Sequence, residues 1–262
     1  MTQIHSLLVL FLLRMYLVTS LAHLKDETRV VKGKDAQLGQ FPYQCLLLIR
    51  LNSGKAAVCG GSLLNDEWIL TAGHCVQDAE SVSVTLGTID LKNQANADRV
   101  TLNSSVFIRH ENYEAGSATN DVALVKLPTK ITFTETIQPV KLPNGKDSYI
   151  RQKVIVSGFG LRKDKGDVSQ KLQYAPLVVI QNAECMLVYG LFAIKSNNIC
   201  ARGENGESAC HGDSGGPLVL AHDHTLVGVV SFGHVVGCER SLPVVYARVT
   251  EFRDWIRNQS GV

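Results

Sequence analysis

Short runs of apolar residues, each bounded by Gly, Asn, Asp or Pro, recur along most of the chain. Runs of about four to eight residues that are rich in Val, Ile, Leu or aromatic side chains are typical of β-strands, and the bounding residues are typical of turns. The pattern predicts strands at residues 60–64, 68–71, 122–127, 153–157, 226–232 and 244–249. Since no internal repeat, heptad pattern or low-complexity tract interrupts them, the sequence favours an all-β fold.

The last residues of the chain follow a helical period instead. Phe252, Trp255 and Ile256 are spaced so that they share one face of a helix. Thr250 is the predicted N-cap, and Glu251 lies where a negative charge complements the positive end of the helix dipole. We therefore expect a C-terminal α-helix that packs against the second half of the chain.

The first residues have the composition of an export signal. An unbroken apolar run at residues 7–13 precedes Ser20 and Ala22, small residues at the two positions that a signal peptidase inspects. A membrane anchor is the alternative, but the run is far shorter than the roughly 20 residues needed to span a bilayer, and Arg14 interrupts it. The sequence thus predicts a signal peptide at residues 1–22 and a secreted, extracellular protein without a membrane partner.

Composition narrows the class of protein further. The 262 residues are 45% hydrophobic, with 26 Lys and Arg against 24 Asp and Glu, and no long basic run offers an electrostatic surface for nucleic acid. Export would place the seven cysteines in an oxidising compartment, where disulfides rather than zinc thiolates are expected. Because seven is odd, one cysteine stays free or pairs elsewhere, and the spacing alone does not choose among the pairings. His222 and His224 lie in a polar turn and are not predicted to bind a metal.

The residues with the clearest chemical signal are 209–217, which read A-C-H-G-D-S-G-G-P. The glycines let the backbone take strained angles and let a substrate carbonyl approach Ser214. A serine hydroxyl is a weak nucleophile at neutral pH, so it needs a base to take its proton and a third group to orient that base. His74, in T-A-G-H-C, and Asp121, at the head of an apolar run, can supply both.

These motifs, in the order His, Asp, Ser, resemble those of the trypsin and chymotrypsin family of secreted serine endopeptidases, over residues 30 to about 260. The resemblance implies two antiparallel Greek-key β-barrels, the first at about 30–135 and the second, with the C-terminal helix, at about 136–262. It places the active site in the cleft between them. The run S-F-G-x-x-x-G-C at residues 231–238 is similar to that of arthropod gut proteases.

The resemblance also implies a role for each residue. Ser214 would attack a peptide carbonyl, His74 would take the proton and return it to the leaving amine, and Asp121 would orient the imidazole. The N–H groups of Gly212 and Ser214 would form the oxyanion hole. This chemistry needs no cofactor and no metal, and calcium is not expected because the loop at 86–100 lacks paired glutamates.

The resemblance implies least about the specificity pocket, which binds the substrate side chain next to the scissile bond. Its predicted residues are the floor residue Ser208 and the wall residues Ser231, Phe232, Gly233 and Val244. Ser208 carries no charge to pair with Arg or Lys, so the P1 side chain, which precedes the scissile bond, is expected to be apolar. A shift of one residue would place Glu207 on the floor and reverse this preference. Val244 should narrow the pocket. A misfit of one methylene group changes substrate discrimination by only about 1 to 3 kcal/mol, so the sequence does not predict which of Leu, Phe, Tyr and Ala is preferred at P1.

Residues 23–29 resemble an activation propeptide. Cleavage after Arg29 by a trypsin-like protease would free the amino group of Val30, which would then pair with Asp213 beside the nucleophile. An enzyme that prefers apolar side chains should process this junction poorly by itself.

The resemblance also chooses a disulfide pattern: Cys59–Cys75, Cys185–Cys200 and Cys210–Cys238. Cys45 is left over in an apolar run and is predicted to be a small core hydrophobe.

Three functions fit these predictions. A monomeric digestive endopeptidase of chymotrypsin or elastase type is favoured, with protein and peptide substrates and protein protease inhibitors as partners. A regulatory protease of narrow specificity and a non-catalytic homologue that binds partners are the alternatives, and labelling of Ser214 by a serine-directed reagent separates the last from the other two.

Overall fold

The computed structural model describes residues 31–93 and 97–262. The predicted signal peptide, the propeptide, Arg29 and Val30 lie outside the described residues. Within them, no helix is long and apolar enough to cross a membrane.

Seven antiparallel strands from the first half of the chain form one sheet, in the order β6-β5-β2-β3-β4-β8-β7. Its strands are β2 (Gln44–Leu51), β3 (Ala56–Leu63), β4 (Trp68–Thr71), β5 (Ala79–Leu86), β6 (Val100–Ser104), β7 (Phe107–Arg109) and β8 (Ala123–Lys126). Alternate side chains point inward, and those of Leu47, Ile69 and Leu124 are fully buried.

A second seven-stranded sheet has the order β1-β10-β11-β14-β13-β12-β9, and β9 also pairs with β10 so that six of its strands close into a barrel. Its strands are β1 (Lys34–Asp35), β9 (Lys153–Gly158), β10 (Gln173–Ile180), β11 (Asn198–Arg202), β12 (Pro217–Leu220), β13 (Leu226–Phe232) and β14 (Val244–Arg248). Although β1 comes first in the chain, it pairs with β10, so the N-terminal segment crosses to the second sheet.

The predicted all-β class, with two barrel-like sheets and a C-terminal helix, is confirmed. Three α-helices lie within the described residues: α1 (Gly73–Val76), α2 (Asn182–Tyr189) and α3 (Val249–Ser260). Phe252, Trp255 and Ile256 of α3 are buried, as their spacing predicted. The helix packs on β13, and Trp255 also donates a hydrogen bond to Glu111 of the first half over 2.9 Å, so α3 joins both halves.

The predicted N-cap of α3 is wrong. The cap is Arg248, which makes no side-chain cap hydrogen bond, and Thr250 lies inside the first turn. The reason is that β14 ends at Arg248 and runs directly into the helix, with no intervening loop to hold a capping hydroxyl.

The two sheets meet through close backbone contact. The Gly60 N–H of β3 donates to the Ser214 carbonyl over 2.7 Å, and a Cβ at Gly60 would lie 2.8 Å from the Gly216 Cα. Nearby, the buried Ser157 hydroxyl of β9 donates to the Gln44 side chain of β2 over 2.7 Å. The first sheet therefore supports the loop that carries the predicted nucleophile.

This contact predicts that Gly60→Ala is destabilising. The added methyl group would overlap backbone atoms, which cannot move aside like the end of a flexible side chain, so we expect a loss of about 1 to 3 kcal/mol in the free energy of unfolding. Thermal unfolding measures it. Gly116→Ala is the matched control, because a Cβ there meets nothing within 4 Å; equal melting temperatures for the two variants would contradict the prediction.

Candidate active site

Strand pairing brings His74 and Asp121 together. β4 and β8 run antiparallel with Thr71 opposite Ala123, so the end of β4 lies beside the start of β8. His74 follows β4 on the short helix α1, and Asp121 immediately precedes the buried Val122 that leads into β8. The two side chains therefore leave the sheet at the same end.

Asp121 is almost completely buried, at 1% exposure, and accepts three hydrogen bonds. Its Oδ1 accepts from the His74 backbone N–H over 2.8 Å, and its Oδ2 lies 2.8 Å from His74 Nδ1. The Ser231 hydroxyl donates to the same Oδ2 over 2.6 Å. With a proton on Nδ1 directed at the carboxylate, the other ring nitrogen, Nε2, is the basic one.

Ser214 lies in the loop that precedes β12, and backbone hydrogen bonds hold this loop on both sides. Its carbonyl accepts from Gly60, and the Gly215 N–H donates to the Val230 carbonyl of β13 over 2.8 Å. Gly215 has a φ of +78°, and a Cβ there would overlap the Thr71 hydroxyl oxygen, so glycine is required at this turn.

The Cys75 sulfur locates Ser214 relative to His74. It lies 3.6 Å from the Ser214 carbonyl oxygen and 3.7 Å from His74 Nε2. Within residues 31–93 and 97–262, no hydrogen bond joins the Ser214 hydroxyl to His74 Nε2. The fold thus brings His74, Asp121 and Ser214 to one place. A hydrogen bond between a nucleophile and its base is often long or absent in a free enzyme and tightens when substrate binds.

The backbone N–H groups of Gly212 and Ser214 have no hydrogen-bond acceptor within the described part of the chain. Gly212 has a φ of +95°, and a Cβ there would lie 3.0 Å from the Gly160 Cα. The loop can therefore present two donors to one acceptor, which is the arrangement that stabilises a developing oxyanion.

Asp213, next to Ser214, is a second buried carboxylate, at 1% exposure. It accepts hydrogen bonds from the N–H groups of Gly160 over 2.8 Å and Cys210 over 2.9 Å. Burial raises its pKa to about 6, against the opposing effect of these two hydrogen bonds. No cationic or imidazole neighbour is among the groups that shift the pKa of Asp213.

A pocket of about 200 Å³ opens beside Ser214. Ser208 lines it, together with Ser231, Phe232, Gly233, Val244 and His211. Glu207 does not line it, because its carboxylate turns away to accept from the Asn205 backbone and side chain at 2.8 and 3.1 Å. The buried Ser208 hydroxyl donates to the Ala209 carbonyl over 2.9 Å, so the pocket carries no charge at this end.

Sequence reasoning missed a helix that supports the pocket wall. The Tyr189 hydroxyl at the end of α2 donates to the Pro243 carbonyl over 2.5 Å, and its ring meets Phe232 edge-on with 5.5 Å between centroids. The available signal was the capping box formed by Gln181 and Glu184, which marks the start of α2.

The cysteines form three disulfides, Cys59–Cys75, Cys185–Cys200 and Cys210–Cys238, and leave Cys45 fully buried as a thiol. Sulfur atoms cluster with His74 and with Asp164 at spacings that suit a metal ion. All of these sulfurs are in disulfides and offer no thiolate, so neither cluster fits a metal.

The fold and this site together define a serine endopeptidase of the chymotrypsin type. A family model described as Trypsin matches residues 30–256, and the chain belongs to that family.

Several arthropod proteins are similar over nearly the whole chain. Collagenase of Hypoderma lineatum is 40% identical over 90% of this chain and 89% of its own length, and brachyurin of Leptuca pugilator is 38% identical over 89% of this chain and 99% of its own length. The solved structure of HL collagenase superposes with a TM-score of 0.81 at 39% identity, covering 89% of this chain and 99% of the other. These relatives support an arthropod-type serine protease.

The buried Asp213 predicts a pH dependence for the stability of the full-length chain. Its pKa is raised from 3.8 to about 6, so the native state binds this proton more tightly than the unfolded state does. The stabilisation from this protonated carboxyl is therefore complete only below the unfolded-state pKa of 3.8 and is lost as the pH rises through about 6. The expected loss of unfolding free energy between pH 4 and pH 7 is about 2 kcal/mol.

The measurement is the unfolding free energy of the full-length chain between pH 4 and pH 7, taken as wild type minus Asp213→Asn. This difference should fall as the pH rises, because only the wild type ionises at this position. Asp167→Asn, on an exposed loop, is the control and should give a flat difference. A flat difference for Asp213→Asn as well would contradict the raised pKa.

Proposed function

We propose that this chain is a secreted digestive endopeptidase, made as a zymogen, that cleaves peptide bonds after apolar side chains. The neutral pocket carries the proposal: Ser208 lines it and the nearby acid, Glu207, is turned into the adjoining loop. A Lys or Arg side chain would enter this pocket without a counter-charge and would bear the free-energy cost of a buried charge. An apolar side chain bears no such cost.

In the proposed mechanism, Ser214 attacks the substrate carbonyl carbon and His74 Nε2 takes the hydroxyl proton. Asp121 holds the imidazole through Nδ1 and stabilises its charged form. The tetrahedral oxyanion accepts from the N–H groups of Gly212 and Ser214. The C–N bond then breaks as His74 returns the proton to the leaving amine, and water hydrolyses the acyl-enzyme by the same steps in reverse.

Ser231 extends this arrangement. Its hydroxyl donates to Asp121 Oδ2, the oxygen that also holds the His74 ring. Because the acid is buried, a further donor satisfies a lone pair that water cannot reach and limits the rotation of the carboxylate. Ser231 therefore serves both the pocket wall, as predicted from the sequence, and the orientation of the acid.

Activation by cleavage after Arg29 rests on two observations. Val31 is buried and bridged to the pocket residue Ser208, whose N–H donates to the Val31 carbonyl over 3.3 Å. Asp213 is a buried carboxylate whose ionisation is disfavoured. A new ammonium group at Val30 would offset that penalty and order the loop that carries Gly212 and Ser214.

Secretion and a digestive role rest on the apolar run at residues 7–13, the three disulfides and membership of the trypsin family. Protein substrates, a trypsin-like activator and protein protease inhibitors are the proposed partners of a monomeric enzyme. A broad profile on a peptide library supports digestion; cleavage confined to one short motif favours a regulatory protease instead.

The pocket predicts a selectivity that peptide substrates differing only at P1 can measure. We expect kcat/KM for Leu, Phe, Tyr or Ala to exceed that for Arg by tenfold or more, because only Arg must leave a charge unpaired in the pocket. Ser208→Asp should move the Leu-to-Arg ratio toward Arg by at least tenfold, while Ser208→Ala, which adds no charge, should not. A wild-type enzyme that prefers Arg would refute the proposed selectivity.

The junction predicts dependence on another protease. Purified precursor should stay inactive at any concentration, and trypsin should convert it to a form that begins at Val30 and labels at Ser214 with a phosphonate reagent. Arg29→Gln should block this conversion without changing the stability of the precursor. Maturation that accelerates with precursor concentration in the absence of trypsin would refute dependence on an activator, and matured protein that takes up no label would instead indicate a non-catalytic homologue.

A further inference from the structure

The loop at residues 161–168 links two parts of the site that are far apart in the sequence. At its base, Leu161 is bridged to Val168, and the Leu161 N–H donates to the His211 carbonyl over 2.6 Å. The preceding Gly160 N–H donates to Asp213. The base of this loop is therefore bound to the loop that carries Ser214.

At its tip, the loop is bound to the rim of the pocket. Asp164 Oδ1 accepts from the Cys238 N–H over 2.6 Å, and the Asp164 N–H donates to Glu239 Oε2 over 2.8 Å. Each acid thus accepts from the other segment's backbone. We call this reciprocal pair of hydrogen bonds the Asp164 clasp.

Gly237 shows how closely the two segments approach. Its φ is +110°, and a Cβ built on it would overlap the Asp164 carboxylate. Only glycine fits here, both for the backbone angle and for the space that the carboxylate takes. The carboxylate therefore occupies the volume next to the rim backbone that a side chain would otherwise fill.

The clasped residues form part of the pocket. Gly237 and Cys238 both line it, and Cys238 is joined through its disulfide to Cys210, which lines it from the nucleophile side. Asp164 does not line the pocket, so its effect on substrate passes through these residues. The short 3-10 turn Cys238–Arg240 has no side-chain cap of its own at Gly237, and Asp164 supplies the acceptor from a remote loop.

We propose that Asp164 is a positioning residue for the specificity pocket, holding the rim at Gly237 and Cys238 in place so that a large P1 side chain contacts both walls. This inference rests on the proposed function, in which the pocket binds an apolar P1 side chain. A carboxylate is a strong acceptor for a backbone N–H, so its removal frees the rim on that side. Peptides with a small P1 side chain that does not reach the rim should be cleaved as efficiently as before.

The experiment compares matured Asp164→Ala and Glu239→Ala with Asp167→Ala. Asp167 is exposed in the same loop and loses the same charge, but it makes no hydrogen bond or ion pair within the described part of the chain. Two peptides with Phe or Ala at P1 are assayed for kcat and KM, with active enzyme counted by phosphonate titration.

For Asp164→Ala, we expect the Phe-to-Ala ratio of kcat/KM to fall about tenfold, equivalent to about 1.4 kcal/mol, through a higher KM for the Phe peptide. kcat for the Ala peptide should stay within about twofold. Glu239→Ala should shift the ratio in the same direction by less, and the double variant should show less than the product of the two effects, because both residues belong to one clasp. Asp164→Asn, whose side-chain oxygen still accepts from Cys238, should restore part of the ratio.

A ratio for Asp164→Ala that equals that of Asp167→Ala would overturn the inference, as would an equal loss of kcat on both peptides, which indicates a merely structural role. If Asp164→Ala does not fold, Glu239→Ala decides, and an unchanged ratio there overturns the inference. A failure of the proposed function can be told apart from a failure of this inference, because the wild-type enzyme would then prefer Arg at P1. In that case the large-to-small comparison is repeated with the side chains that the wild type accepts.

Discussion

The active site depends on one close approach of backbone to backbone, where Gly60 of the first sheet meets the loop of Ser214 and Gly216. The hydrogen bond from Gly60 to the Ser214 carbonyl, and the absence of side chains at Gly60 and Gly216, let the two sheets come within van der Waals contact. His74 is carried by the first sheet and Ser214 by the second half of the chain. Their relative position is therefore set by the packing between the sheets.

Two buried carboxylates near this contact differ in what surrounds them. Asp121 accepts from the His74 backbone, the His74 ring and the Ser231 hydroxyl, so its charge is satisfied by groups that hold a base in place. Asp213 accepts from two backbone N–H groups, and burial raises its pKa. In the proposed mechanism, an aspartate thus orients the catalytic base in one environment. In the proposed zymogen, an aspartate in the other environment is the partner for a new N-terminus.

Much of the fold was predictable because local patterns agree with it. Short apolar runs became strands since their side chains alternate between a core and the outside, and the spacing of Phe252, Trp255 and Ile256 marked a helical face. The crossing of β1 to the second sheet was not predictable, because a strand of two residues is too short to show which strand it pairs with. Nor was the start of α3, since a strand that runs directly into a helix leaves the expected cap at Thr250 inside the first turn.

The sequence by itself determined the chemistry that this protein can perform. The glycine-flanked serine, the histidine and the acid each stand in a local motif, and their order along the chain is that of a known family. The tertiary structure alone decided which groups act on them: that Ser231 donates to Asp121, that Glu207 turns out of the pocket, and that Asp164 reaches the rim. These are contacts between residues far apart in the chain, made by single hydrogen bonds whose partners only packing brings into reach, so no local pattern records them.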